Sequence, residues 1–100
     1  IQRTIPLMCI RIHHSDLEFA IIASNWGKNY LPAWYYNLKA NPQVDCTIRG
    51  ETRPYLASEA TGEDYRSYWQ MATQIYVGYS QYKHRAGRHI PIIIMTPVRV

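Results

Sequence analysis

The stretch PAWYYNLKANPQVDCTIRGETRPYLASEA, residues 32–60, decides the architecture. Pro32 stands where a helix can begin, because its missing N–H would be unpaired in a first turn anyway. Asn41-Pro42 supplies the stop. The apolar period then changes from helical to two, so that Val44, Cys46 and Ile48 fall on one face of a strand. Gly50-Glu51 gives a turn, and Thr52 to Ala60 returns as the partner strand. A short helix that feeds an antiparallel hairpin is not a parallel crossover, which excludes a doubly wound nucleotide-binding domain.

Upstream, Arg3 to His13 (RTIPLMCIRIH) alternates loosely, as a half-buried strand does. Ser15-Asp16 turns the chain, and Leu17 to Ser24 (LEFAIIAS) is nearly continuous in apolar residues, so this second strand lies deeper in the core. Asn25 to Leu31 reads as a loop. Downstream, Thr61-Gly62-Glu63-Asp64 opens a helix with a Thr N-cap and acids in the first turn. Tyr65, Tyr68, Trp69, Ala72 and Ile75 continue it at helical spacing. Gly78 interrupts, a further helical stretch runs from Tyr79 to Arg85, and Gly87 ends it. Ile90 to Val98 (IPIIIMTPV) is a buried strand expected to close the sheet. The order β-β-α-β-β-α-α-β points to an α+β domain, a small antiparallel barrel with helices packed at its open seams.

A chain of 100 residues suits one domain, 1–100. A domain of that size buries only about 60–65% of its extended-chain surface, which favours dimerisation. The sequence starts at Ile1 inside an apparent strand, so an upstream segment is expected. Nine tyrosines against one phenylalanine imply half-buried surfaces such as pockets or interfaces. The net charge of +4 is dispersed rather than gathered in the dense patch a nucleic acid needs, yet it suffices for an anionic small ligand. Cys9 and Cys46 lack ligand spacing and read as reduced core residues of a cytoplasmic protein. The four histidines show no metal-ligand pattern, so no metal site is expected. No apolar run reaches the roughly 18–20 residues that span a bilayer.

Three segments are candidates for chemistry. In Ala23-Ser24-Asn25-Trp26-Gly27-Lys28 a small hydroxyl residue and a glycine at a strand end let backbone N–H groups approach a flat ring or an anion, although an ordinary strand-to-helix turn reads the same way. On the helix after Pro32, spacing puts Trp34, Asn37 and Leu38 on one face, where a buried Asn37 amide would need a partner. Tyr76, Tyr79 and Tyr82 recur every three residues and either line a cavity or form a partly buried helix face.

Taken together, RTIPL (3–7), ASNWG (23–27), PAWYYNLKANPQV (32–44), TGEDYRSYW (61–69) and YVGYSQYKHRAGRHIPIII (76–94) resemble the deazaflavin-dependent nitroreductase family over essentially the whole chain. P-x-W-Y-x-N-L-x-A-N-P is the most specific of these motifs. The resemblance implies a split β-barrel of the FMN-binding type, an antiparallel Greek-key barrel with short helices on its openings, dimeric and binding coenzyme F420, with FMN as the alternative. It implies hydride transfer from reduced F420 to a quinone, an enone or a nitroaromatic, and peripheral association with a membrane through a quinone substrate. Residue by residue it assigns Arg3 to the phosphate and tail end of the cofactor, Asn37 to the tail, and Pro6 to cofactor binding. It sets Ser24 beside the ring and counts Asn25, Trp26 and Gly27 among the cofactor-binding residues, with Trp34 packing the helix against the site. Ser24, Tyr76, Tyr79 and Tyr82 fall where the acceptor is oriented or protonated.

Two departures stand out. The family's G-R-K-[ST]-G segment would precede Arg3, and Asn25-Trp26 replaces the Lys and second Gly that members commonly carry. The second departure motivates an alternative, a non-catalytic deazaflavin or flavin carrier of the same fold. A third reading is an interaction domain whose tyrosines form a protein interface.

Overall fold

The computed structural model describes residues 7, 9–11, 18–25, 28–75, 78–79, 81, 87 and 89–98. Five strands and two helices follow in the order β1 (Cys9–Arg11), β2 (Phe19–Ile22), α1 (Ala33–Ala40), β3 (Gln43–Ile48), β4 (Glu51–Glu59), α2 (Gly62–Ile75) and β5 (Ile92–Pro97). Tyr79 and Gln81 are helical as expected, but Gly78, expected to interrupt the helix, is itself helical.

All strand pairs are antiparallel, in the spatial order β1-β2-β5-β4-β3. The last strand therefore joins the two hairpins at the centre of the sheet instead of closing its edge. Its sequence explains the position: a run of isoleucines with both faces covered belongs between neighbours, and Ile92 pairs Ile22 while Ile94 pairs Ser58. The same reasoning accounts for β2, every residue of which is buried. β3 alternates exposed and half-buried residues, with Val44, Cys46 and Ile48 inward as the period-two pattern requires.

Side chains divide between two cores. On one face Ile10, Ala20, Ile22, Ile92 and Ala60 meet α2 through Tyr68 and Ala72. On the other, Phe19, Ile21, Ile93, Met95 and Tyr55 meet α1 through Tyr35, with Trp34, Leu38, Val44 and Ile48 packed around them. Strands from both halves of the sheet share this second cluster, so the sheet curls around it as a half-barrel. Among the described residues no ladder joins β1 to β3, which leaves the barrel split.

Three expectations need correction. Cys9 is exposed, because β1 is an edge strand with no described strand beyond it; Cys46 is half-buried, and both are free thiols. The β3–β4 turn is Arg49-Gly50 rather than Gly50-Glu51, since Ile48 already pairs Glu51. Both turn residues have positive φ, 53° and 82°, the signature of a two-residue type I′ hairpin. Replacing Gly50 by Val should therefore cost about 1–2 kcal/mol in a urea melt, and by Asn clearly less; equal losses for the two would show that φ does not matter there. Finally, Pro32 is the N-cap rather than the first helical residue of α1. Among the described residues no helix is long and apolar enough to cross a membrane.

Candidate active site at one rim of the half-barrel

Antiparallel pairing delivers several chain ends to one rim. The chain leaves β2 at Ile22 opposite the start of β5 at Ile92, and Glu59, the last residue of β4, pairs Ile93. β1 begins there too, with Cys9 paired to Ile21. Two backbone bonds fasten this rim: the Ala23 N–H donates to the Pro91 carbonyl at 2.9 Å, and the Ala60 N–H to the Ile92 carbonyl at 2.8 Å.

Ser24 sits on this rim directly after β2 and is only 9% exposed. Asn25 follows with a φ of 48°, a left-handed conformation that Asn tolerates better than most residues. Its Nδ2 donates to the Tyr30 carbonyl at 3.0 Å, and its own carbonyl accepts from the Lys28 N–H at 3.1 Å. The Asn25 amide thus shapes the loop. Beyond it Lys28 and Tyr30 are exposed, with the Lys28 ammonium 5.6 Å from the Tyr30 ring centroid.

On α1, Trp34 is half-buried in the same cluster that contains Ala23, which brings this helix and the strand end before Ser24 into one core. The inward face of α1 differs from the expected one. Tyr35, not Asn37, lies deepest at 8% exposure, while Asn37 is exposed and its amide needs no internal partner. A long-range partner explains the difference: the Tyr35 hydroxyl donates to Glu59 Oε1 at 2.5 Å, so its ring can be buried with the polar atom satisfied. Lys39 Nζ lies 3.0 Å from the same carboxylate oxygen.

The charges respond accordingly. Burial pushes the Glu59 carboxyl up, but the hydrogen bonds from Tyr35 and Lys39 and the nearby charges of Lys39 and His89 outweigh it, so the acid is held below its ordinary value. The Tyr35 phenol is pushed up, first by its bond to Glu59 and then by burial. Tyr65 is raised by burial and by the Glu59 charge, and Tyr68 reaches about 12 through burial and Glu18. These phenols stay neutral donors at physiological pH. Because the folded Glu59 value is depressed, its contribution to stability is present above the ordinary Glu range and is lost as pH falls through the folded value. Glu59→Gln should flatten the acid limb of a stability-versus-pH curve; an unchanged limb would show that Glu59 adds nothing to it.

Tyr79 is 7% exposed and belongs to the opposite core, beside Ile90 and Ile92, rather than to the cluster with Trp34. Arg3, Pro6, Trp26, Gly27, Tyr76 and Tyr82 lie outside the described residues. Among the described residues no group of His, Cys, Asp or Glu is arranged to hold a metal. Glu59, Tyr35 and Lys39 escaped the reading by motif. The available signal was Tyr35 and Lys39 four residues apart, on one line of a helix.

Comparisons with known proteins agree with this fold. The family model described as F420H(2)-dependent quinone reductase matches residues 1–97. An F420H(2)-dependent quinone reductase of Mycobacterium tuberculosis H37Rv is 32% identical over 81 residues, covering 78% of this chain and 54% of the relative. The chain thus spans about half the length of that relative. A solved structure described as an F420-H2 dependent reductase superposes with a TM-score of 0.81 at 33% identity, covering 93% of this chain and 80% of that one. Another, described as a domain-swapped dimer, gives a TM-score of 0.82 at 33% identity, covering 93% and 68%.

Proposed function

This chain belongs to the F420H(2)-dependent quinone reductase family, and from that premise we propose that it binds reduced coenzyme F420 at the rim around Ser24 and passes a hydride to a quinone. The observation that carries the reading is the convergence on one rim of Ser24, the aromatic helix α1 and the entry to β5.

The described residues suit a flat ring with an acidic appendage. Trp34 offers a half-buried aromatic surface, Ser24 a hydroxyl in a nearly dry position, and Asn37 an exposed amide that can donate to an acidic tail. When bound, the reduced deazaflavin supplies the hydride. The protein's work is positional and electrostatic: the rim excludes water, and Ser24 and a tyrosine hydroxyl donate hydrogen bonds to the acceptor oxygen as negative charge grows on it. Arg3 completes the phosphate end in this reading, and Pro6 is a further cofactor contact. Nitroaromatics and enones are further acceptors of the same electrophilic class, and FMN is the alternative cofactor. A homodimer is supported by the neighbour described as a domain-swapped dimer, and a quinone substrate would draw the protein to a membrane surface.

The test is a fluorescence titration with F420 followed by mixing with F420H2 and a naphthoquinone, a nitroaromatic and a cyclic enone. Saturable binding with quinone-dependent reoxidation is expected. Binding without reoxidation of any acceptor would replace the enzyme by the carrier that the Asn25-Trp26 departure motivates. Absence of binding would leave the interaction-domain reading.

A further inference from the structure

α1 has little of its own to hold it. Its eight residues, Ala33–Ala40, fall below the length at which a helix persists alone, it has no side-chain cap at Pro32, and no acid occupies its first turn. What fixes it is contact with the sheet, and the polar part of that contact converges on one carboxylate. The Tyr35 hydroxyl and the Lys39 ammonium, one helical turn apart, both bind Glu59 Oε1, at 2.5 Å and 3.0 Å. Lys39 Nζ also lies 5.7 Å from the Tyr35 ring centroid, so the three groups form a closed triangle. Lys39 stands in the last turn, where a cation favours the helix dipole.

Glu59 itself is anchored on the sheet side. It pairs Ile93 across the ladder, and the next residue, Ala60, donates to the Ile92 carbonyl. Its carboxylate is therefore a fixed post on the rim, and α1 is the part it holds. Trp34 immediately precedes Tyr35, and Asn37 lies midway between Tyr35 and Lys39. Releasing the post frees α1 to roll or shift, and both side chains move with it. The charge of His89, ahead of β5, helps to lower the Glu59 carboxyl, and the Glu59 charge in turn raises Tyr65 of α2, which places the triangle beside the other elements of the rim.

We propose that Glu59 is a positioning residue for the cofactor: with Tyr35 and Lys39 it sets where α1 stands, and through Trp34 and Asn37 it sets the affinity for F420 without taking part in hydride transfer. This rests on the F420 reading above. Tyr35 carries most of the coupling, because its bond is short and shielded, whereas the Lys39 pair is more exposed and contributes less.

The experiment compares the wild type with Glu59→Ala, Glu59→Gln, Tyr35→Phe and, as a control, Glu51→Ala, whose pair with Arg53 is exposed at the far end of β4. F420 dissociation constants, kcat at saturating F420H2 and quinone, and hydrogen exchange of the α1 amides are measured. Glu59→Ala should raise the dissociation constant about tenfold, and Tyr35→Phe and Glu59→Gln about threefold, with kcat within about twofold of wild type. Exchange of the amides from 34 to 39 should quicken in the same order, and Glu51→Ala should change nothing. Gln keeps an acceptor for Tyr35 and so remains informative should Ala fold poorly. A folded Glu59→Gln or Tyr35→Phe variant with wild-type affinity and wild-type α1 exchange overturns this proposal alone. A wild type that does not bind F420 overturns the cofactor reading and this proposal with it.

Discussion

Ile92→Asp is expected to leave the chain without a cooperative folded state at 25 °C. Ile92 is completely buried, at 0% exposure, in the core that joins Ile10, Ala20 and Ile22 to Tyr68 and Ala72 of α2. It is also the residue through which β5 grips its neighbours, since it pairs Ile22 and its carbonyl accepts from the Ala60 N–H. Asp at this position must either bury a charge with no partner or take up a proton and still lack full hydrogen bonding. Either route costs more than about 4 kcal/mol, comparable to the whole stability of a small domain, roughly 5–15 kcal/mol. Thr96→Asp is the matched control, because Thr96 lies on the same strand and is exposed; it should cost within about 1 kcal/mol. Urea titrations followed by far-ultraviolet circular dichroism check both. A folded baseline for Ile92→Asp like that of wild type would mean that β5 does not hold the two hairpins together.

Most of the fold was legible because local patterns and long-range packing agree. LEFAIIAS (17–24) and the isoleucines of the last segment read as buried on both faces, and both strands are central. Val44, Cys46 and Ile48 point inward as alternation demands. What the pattern could not give was order across the sheet: a strand covered on both faces is equally plausible closing a barrel or bridging two hairpins, and only the register distinguishes them. Cys9 shows the converse, a residue apolar enough for a core but placed on an edge strand. At the site, the small hydroxyl residue after β2 and the aromatic helix were visible, because turn chemistry and helical spacing are local. The inward face of α1 was not. Burial of Tyr35 depends on Glu59, 24 residues away in sequence, and no periodicity within the helix encodes that partner.

Tyr79 carries the other large effect, and two substitutions separate its packing from the role proposed for its hydroxyl. Its ring is 7% exposed against Ile90 and Ile92, so Tyr79→Ala should create a cavity and cost about 3–5 kcal/mol in a denaturation experiment. Tyr79→Phe keeps the ring volume and removes only the hydroxyl. Under the proposed function that hydroxyl helps to orient or protonate the acceptor, so Phe should lower kcat with a quinone by about tenfold to a hundredfold while leaving F420 affinity within about twofold. Hydrogen-bond donation to the acceptor oxygen is the larger part of that effect. A Phe variant that turns over like wild type would remove the hydroxyl from the mechanism and leave Tyr79 as a core residue. Catalytic assistance would then fall to Ser24, whose hydroxyl lies on the rim at the end of β2.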